Sequence, residues 1–230
     1  MKLSVAIAAL TTGIVVWWFL VRRLTARPWE AQGTSGGRES AGTLGPPPAR
    51  VGLWVLLAVL TSFFALFITG YWMRMGNGIA HGVIQPDWRP VIEPRILWLN
   101  TLLLVLGSVC MQWARGAVNR GDAAGTNRAW WLGGLFAVAF LVGQMLAWRQ
   151  LQAAGLYAAS NPANAAFYLL TGVHAAHLLG GLVAWTRTKL RMVQSGGDLE
   201  PVRLSFELCS VYWHFLLLVW LVLFALLLKT

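Results

Sequence analysis

Two stretches of this chain set hydrogen-bonding and metal-ligating side chains inside otherwise apolar runs. The first carries Thr171, His174 and His177, whose i, i+3, i+6 spacing puts neighbouring members on nearly one face of a helix. The second carries Glu207, Ser210, Tyr212, Trp213 and His214; Glu207 and His214 lie seven residues apart, two turns along one stripe. One chemistry open to such imidazoles is haem ligation. Two histidines from facing helices can hold one iron, and His174 with His214 would be that pair, as in a small membrane b-type cytochrome. His174 and His177 are one turn apart, too close for the stacked haems of a dihaem cytochrome. The other chemistry is structural: an imidazole or carboxyl in hydrocarbon bonds a neighbouring helix, worth ~0.6–2 kcal/mol. The sequence favours this second reading.

Other reactive arrangements find little support. Cys110 and Cys209 both sit in apolar runs and form no CxxC pair, which removes thiolate metal and iron–sulfur sites. No carboxylate or cysteine cluster accompanies the histidines, and there is no P-loop or GxGxxG. A proton relay or transporter would want several intramembrane acids, and of eight Asp and Glu only Glu207 falls inside an apolar run. Apart from that haem reading, the residues themselves point to no catalytic or metal-ligating constellation in this chain.

The elements that position these groups follow from composition. With 57% hydrophobic and 11% charged residues among 230, the charged side chains are too few to cover a soluble globule. Six apolar runs, Leu3–Val21, Val51–Tyr71, Ile96–Ala114, Ala129–Trp148, Ala165–Thr186 and Phe206–Leu228, are each near the ~20 residues that cross a bilayer. The expected fold is all-α, a polytopic membrane bundle of six transmembrane helices. Residues 1–24 read as a retained N-terminal helix, since Arg22 and Arg23 follow the apolar run where a cleaved signal would carry its charge first. Residues 25–50, rich in Gly, Pro and Arg, read as a flexible linker, and 51–230 as a five-helix membrane domain. Met73–Arg95 reads as an ordered loop of turns, and Asn161-Pro162 as a helix start. Loops holding Arg27, Arg50, Arg120, Arg128, Lys189 and Arg203 belong to the side with twice as many Lys and Arg as the other. That side should be cytoplasmic, which leaves both termini periplasmic. The net charge of +10 is thus topology information; no basic helix or aromatic–basic interleaving points to nucleic acid.

Four stretches in order resemble subunit III of the haem–copper respiratory oxidases. Trp98-Leu99-Asn100-Thr101-Leu102-Leu103-Leu104, followed by Met111-Gln112-Trp113-Ala114, resembles the family's "LNTLLL" helix. Phe140-Leu141-Val142-Gly143-Gln144 with Trp148 resembles its "FLxxQ" helix. Phe167 through Thr171-Gly172-Val173-His174-Ala175-Ala176-His177 is similar to "TGxHxxH", and Glu207 with Tyr212-Trp213-His214-Phe215 and Trp220 to "ExxxxYWHF". The likeness spans Val51–Leu228.

The resemblance implies a five-helix core plus one extra N-terminal helix. It implies a non-catalytic subunit in a bacterial cytoplasmic (inner) membrane that packs on oxidase subunit I, has subunits I and II as partners, and binds phospholipid. A further subunit could dock on the N-terminal helix. No cofactor is implied in this chain; haem and copper, and oxygen reduction coupled to proton pumping, belong to the partner subunits. Cytochrome c oxidase is the leading member, with quinol oxidase subunit III and a nitric oxide reductase-associated relative as alternatives. Two departures stand out: the family's buried carboxylates are replaced around Leu60 and at Leu217, which removes the acids on which a proton-antenna role would rest. The remaining polar set, Glu207, His214, His174, His177, Thr171, Trp213, Tyr212, Asn100 and Gln144, is expected to form a structural and lipid-cleft network.

Overall fold

In lipid a backbone must satisfy its own N–H and C=O groups, and a helix does so within one segment. A computed structural model describes residues 47–80, 95–196 and 199–228, the side chains of 74–80 excepted. It contains helices α1 (Pro48–Ala80), α2 (Ile96–Asn119), α3 (Ala123–Ala153), α4 (Pro162–Gln194) and α5 (Arg203–Leu227). All five are long and apolar enough to cross a membrane, and the described residues hold no strand. The expected sixth helix, Leu3–Val21, and the linker up to Pro46 lie outside the described residues.

Every helix is longer than the apolar run that announced it. Helix α1 begins at Pro48, inside the expected linker, because a proline lacks only an N–H that the first turn leaves unused. It continues to Ala80, so the expected loop from Met73 opens as helix. Helix α4 runs on through Arg187, Lys189 and Arg191. Charge ends a hydrocarbon-crossing segment, whereas the hydrogen-bond ladder ends where a cap or a left-handed residue stops it. Gly121 (φ 72°) and Gly155 (φ 76°) are such residues. At the first, Asp122 N–H bonds Ala117 O at 3.0 Å and Gly121 N–H bonds Val118 O at 3.1 Å, the paired pattern that closes a helix end. Asp122 then caps α3, its carboxylate accepting from Gly125 N–H at 2.8 Å. Asn161 caps α4 as expected, accepting from Ala163 N–H at 3.1 Å with Pro162 in the first turn.

The chain divides into two compact units, 1–56 and 57–230. Of the first, residues 47–56 are described: the opening of α1, where Arg50 N–H bonds Pro47 O at 2.8 Å and Trp54, Val55 and Leu56 are exposed. In the second unit α2 and α3 make the most extensive pairing, with α2–α5, α4–α5 and α3–α4 completing a bundle. Small residues permit the approach. A Cβ added at Gly107 would touch Phe136 Cβ at 3.4 Å, and one at Gly134 would strike the Trp185 indole at 2.6 Å. That indole lies parallel to Trp130, with centroids 6.0 Å apart and planes at 6°, and donates to Trp130 O at 3.1 Å. The principal core joins Met111, Trp130, Phe140, Phe206, Leu216 and Trp220. A second cluster joins Phe64 and Tyr71 of α1 to Leu170 of α4 and Leu223 of α5. Outward-facing Leu102, Leu135, Val142 and Leu218 remain exposed, as lipid-facing side chains should.

Candidate functional site

Polar groups inside the bundle are distributed along its helix seams. Between antiparallel α2 and α5 they form a ladder. Arg203 Nε donates to Asn119 Oδ1 at 2.8 Å. Glu207 Oε1 lies 3.6 Å from Arg115, an ion pair about one-third exposed on each side. Ser108 Oγ and His214 Nδ1 are 3.2 Å apart, and Trp220 Nε1 donates to Thr101 Oγ1 at 3.0 Å. Thr101, Ser108 and Arg115 are spaced by sevens, which returns to the same stripe of a helix every two turns. The matching spacing of Glu207 and His214 on α5 lets the rungs align.

The other seams are bonded as well. Asn100 Nδ2 donates to Gln144 Oε1 at 3.3 Å, with both residues buried. The Asn100 carboxamide lies so close to Gly143 that an added Cβ would meet its Oδ1 at 2.0 Å. Trp148 Nε1 donates to Thr171 Oγ1 at 3.1 Å, and Thr171 in turn donates to Phe167 O at 2.7 Å. Lys189 Nζ bonds Asn127 Oδ1, and Tyr212 hydroxyl donates to His177 O at 3.0 Å. Trp213 is buried, its ring 3.5 Å from where a Cβ on Gly181 would stand.

The three candidate histidines behave differently. His214 is exposed and linked to Ser108 across a seam. The ring of His177 bonds its own helix, Nδ1 to Val173 O at 2.8 Å, so the expectation of an interhelical imidazole bond fails there. It fails also for His174, which is fully buried with neither ring nitrogen bonded. That ring packs edge-on against Phe140 and beside Trp220, with centroids 5.8 and 5.3 Å away. The physical reason is rotation: three residues along a helix turn a side chain some 60° away, enough to put one imidazole in the core and the other at its border. The two imidazoles that a single haem would need thus face different neighbours, Phe140 and Trp220 for His174 and Ser108 for His214. Among the described residues, no three His, Cys, Asp or Glu side chains gather as a metal site would require. Leu60 is buried and Leu217 half-buried. Reasoning from sequence missed Thr101, Ser108 and Arg115 as partners; their seven-residue spacing, matched on α5, was the available signal.

The family model for cytochrome c oxidase subunit III matches residues 47–229. The chain is 33% identical over 180 residues to the cytochrome c oxidase subunit 3 of Corynebacterium diphtheriae, covering 78% of this chain and 86% of that protein. It is 28% identical over 193 residues to the corresponding protein of Synechocystis sp., covering 82% and 78%. To that of Thermostichus vulcanus it is 26% identical over 202 residues, covering 86% and 94%.

Proposed function

We propose, since this chain belongs to the cytochrome c oxidase subunit III family, that it serves as a non-catalytic structural subunit of a haem–copper oxidase. It packs on the catalytic subunit I, with subunit II as a further partner, in a bacterial inner membrane, holds phospholipid, and carries no cofactor itself. Haem, copper and proton-coupled oxygen reduction reside in the partners. The observation that carries this reading is where the intramembrane polar groups go: Glu207, His214, Asn100 and Thr171 bond across helix seams. Such side chains hold a bundle together. The names of the relatives favour cytochrome c oxidase over a quinol oxidase or a nitric oxide reductase-associated protein. Leu60 and Leu217 stand in place of the acids on which a proton-antenna role would rest. Both termini are periplasmic.

The test is a mild-detergent pull-down of the tagged chain, with mass spectrometry and a reduced-minus-oxidised spectrum. A haem-bearing subunit I should accompany it, and the haem signal should vanish from this chain after harsher stripping. A chain that comes down alone and retains haem overturns the reading in favour of a b-type cytochrome.

A further inference from the structure

Helix register gathers several buried polar side chains into one layer. Trp148 of α3 bonds Thr171 of α4. Four residues back along α3 and three forward along its antiparallel neighbour, Gln144 and His174 stand level with one another. Asn100 joins from α2 through its bond to Gln144. Trp220 closes the layer from α5, its indole bonded to Thr101 beside Asn100 and its ring 5.3 Å from that of His174. Asn100 and His174 are 0% exposed and Gln144 1%. The surrounding protein meets only part of their bonding capacity. Gln144 Oε1 accepts from Asn100, whereas Asn100 Oδ1, Gln144 Nε2 and both ring nitrogens of His174 have no protein partner.

We propose that this layer is a water-binding site, with one molecule bridging Gln144 Nε2 and the imidazole of His174. The donors and acceptors are complementary. A carboxamide nitrogen has only N–H groups to give, while a neutral imidazole offers one bare nitrogen and one N–H. A bridging water accepts from Gln144 and donates to the bare nitrogen; a second water takes the imidazole N–H. The Phe140 and Trp220 rings wall the site without competing for these bonds. Buried waters occupy such places, where polar groups converge that the fold leaves unmatched. The bridge couples α3 to α4 at a depth where lipid offers no hydrogen bond. His174 acts here as a ligand for water.

Cryo-EM of the full chain in nanodiscs, at a resolution that shows ordered water, tests this. Density should lie within hydrogen-bond distance of Gln144 Nε2 and a His174 ring nitrogen. It should be lost in His174→Phe, which keeps an aromatic ring between Phe140 and Trp220. A dry layer with Gln144 bonded directly to His174 overturns the proposal, as does density that persists unchanged in His174→Phe. Should that variant fail to fold, Gln144→Leu must abolish the same density, and its survival there is equally fatal. None of these readouts requires oxidase partners, so the proposal can fail while the subunit reading stands.

Discussion

Single positions in this bundle differ sharply in what they tolerate, and the glycines make the contrast measurable. A methyl group on Gly143 would lie 2.0 Å from Asn100 Oδ1, whereas one on Gly180 would meet nothing within 4 Å. Gly143→Ala should therefore destabilise the chain by about 1–3 kcal/mol and break the Asn100–Gln144 bond. Gly180→Ala should stay within about 0.5 kcal/mol of the parent. Unfolding titrations in mixed micelles read both; equal effects would mean that Asn100 is free to turn away. Ser108→Ala removes one partner of His214 and should cost only about 0.6 kcal/mol, the usual worth of a bond between membrane helices. At this scale the sequence was partly readable. Glu207 and His214 announced themselves as polar residues in an apolar stretch, and their heptad spacing pointed to one seam. What could not be read was which of His174 and His177 turns inward. That choice depends on Phe140 and Trp220, far away along the chain.

At the level of the helix, existence and end-points obey different physics. Hydropathy marks the residues that sit in hydrocarbon, so five of the apolar runs located α1 to α5. It is blind to the hydrogen-bond ladder beyond the bilayer, hence the longer α1 and α4. The start of α4 was legible because it is local chemistry: Asn161 supplies the cap and Pro162 the first turn. Asn161→Ala should cost about 1 kcal/mol and show first as faster amide exchange at Ala163 to Ala165. Unchanged exchange there would mean that tertiary packing, not the cap, holds this end. The Trp148→Phe variant should be milder, because Thr171 keeps its bond to Phe167 O.

For the molecule as a whole, the ladder between α2 and α5 and the placement of basic residues bear on assembly and orientation. Glu207→Ala removes the partner of Arg115 and should weaken retention of the chain in its complex during detergent extraction, leaving the haem spectrum of that complex unchanged. A changed spectrum would assign Glu207 to a redox centre. A reporter fused after Thr230 should be active only on the periplasmic side; cytoplasmic activity would invert the topology. Five helices and the family were visible in the sequence because both rest on long apolar runs and ordered motifs, while the seams needed three-dimensional register. The parallel pair of Trp130 and Trp185, 6.0 Å apart, has one more consequence. Trp185 also meets Trp131 of α3 at 5.3 Å with the planes at 74°, and indoles so close and set obliquely share their electronic excitation, so the native contact of α3 with α4 should print a paired positive and negative band in circular dichroism. The chain thereby carries an unlabelled optical gauge of its own closure, one that Trp185→Phe would erase.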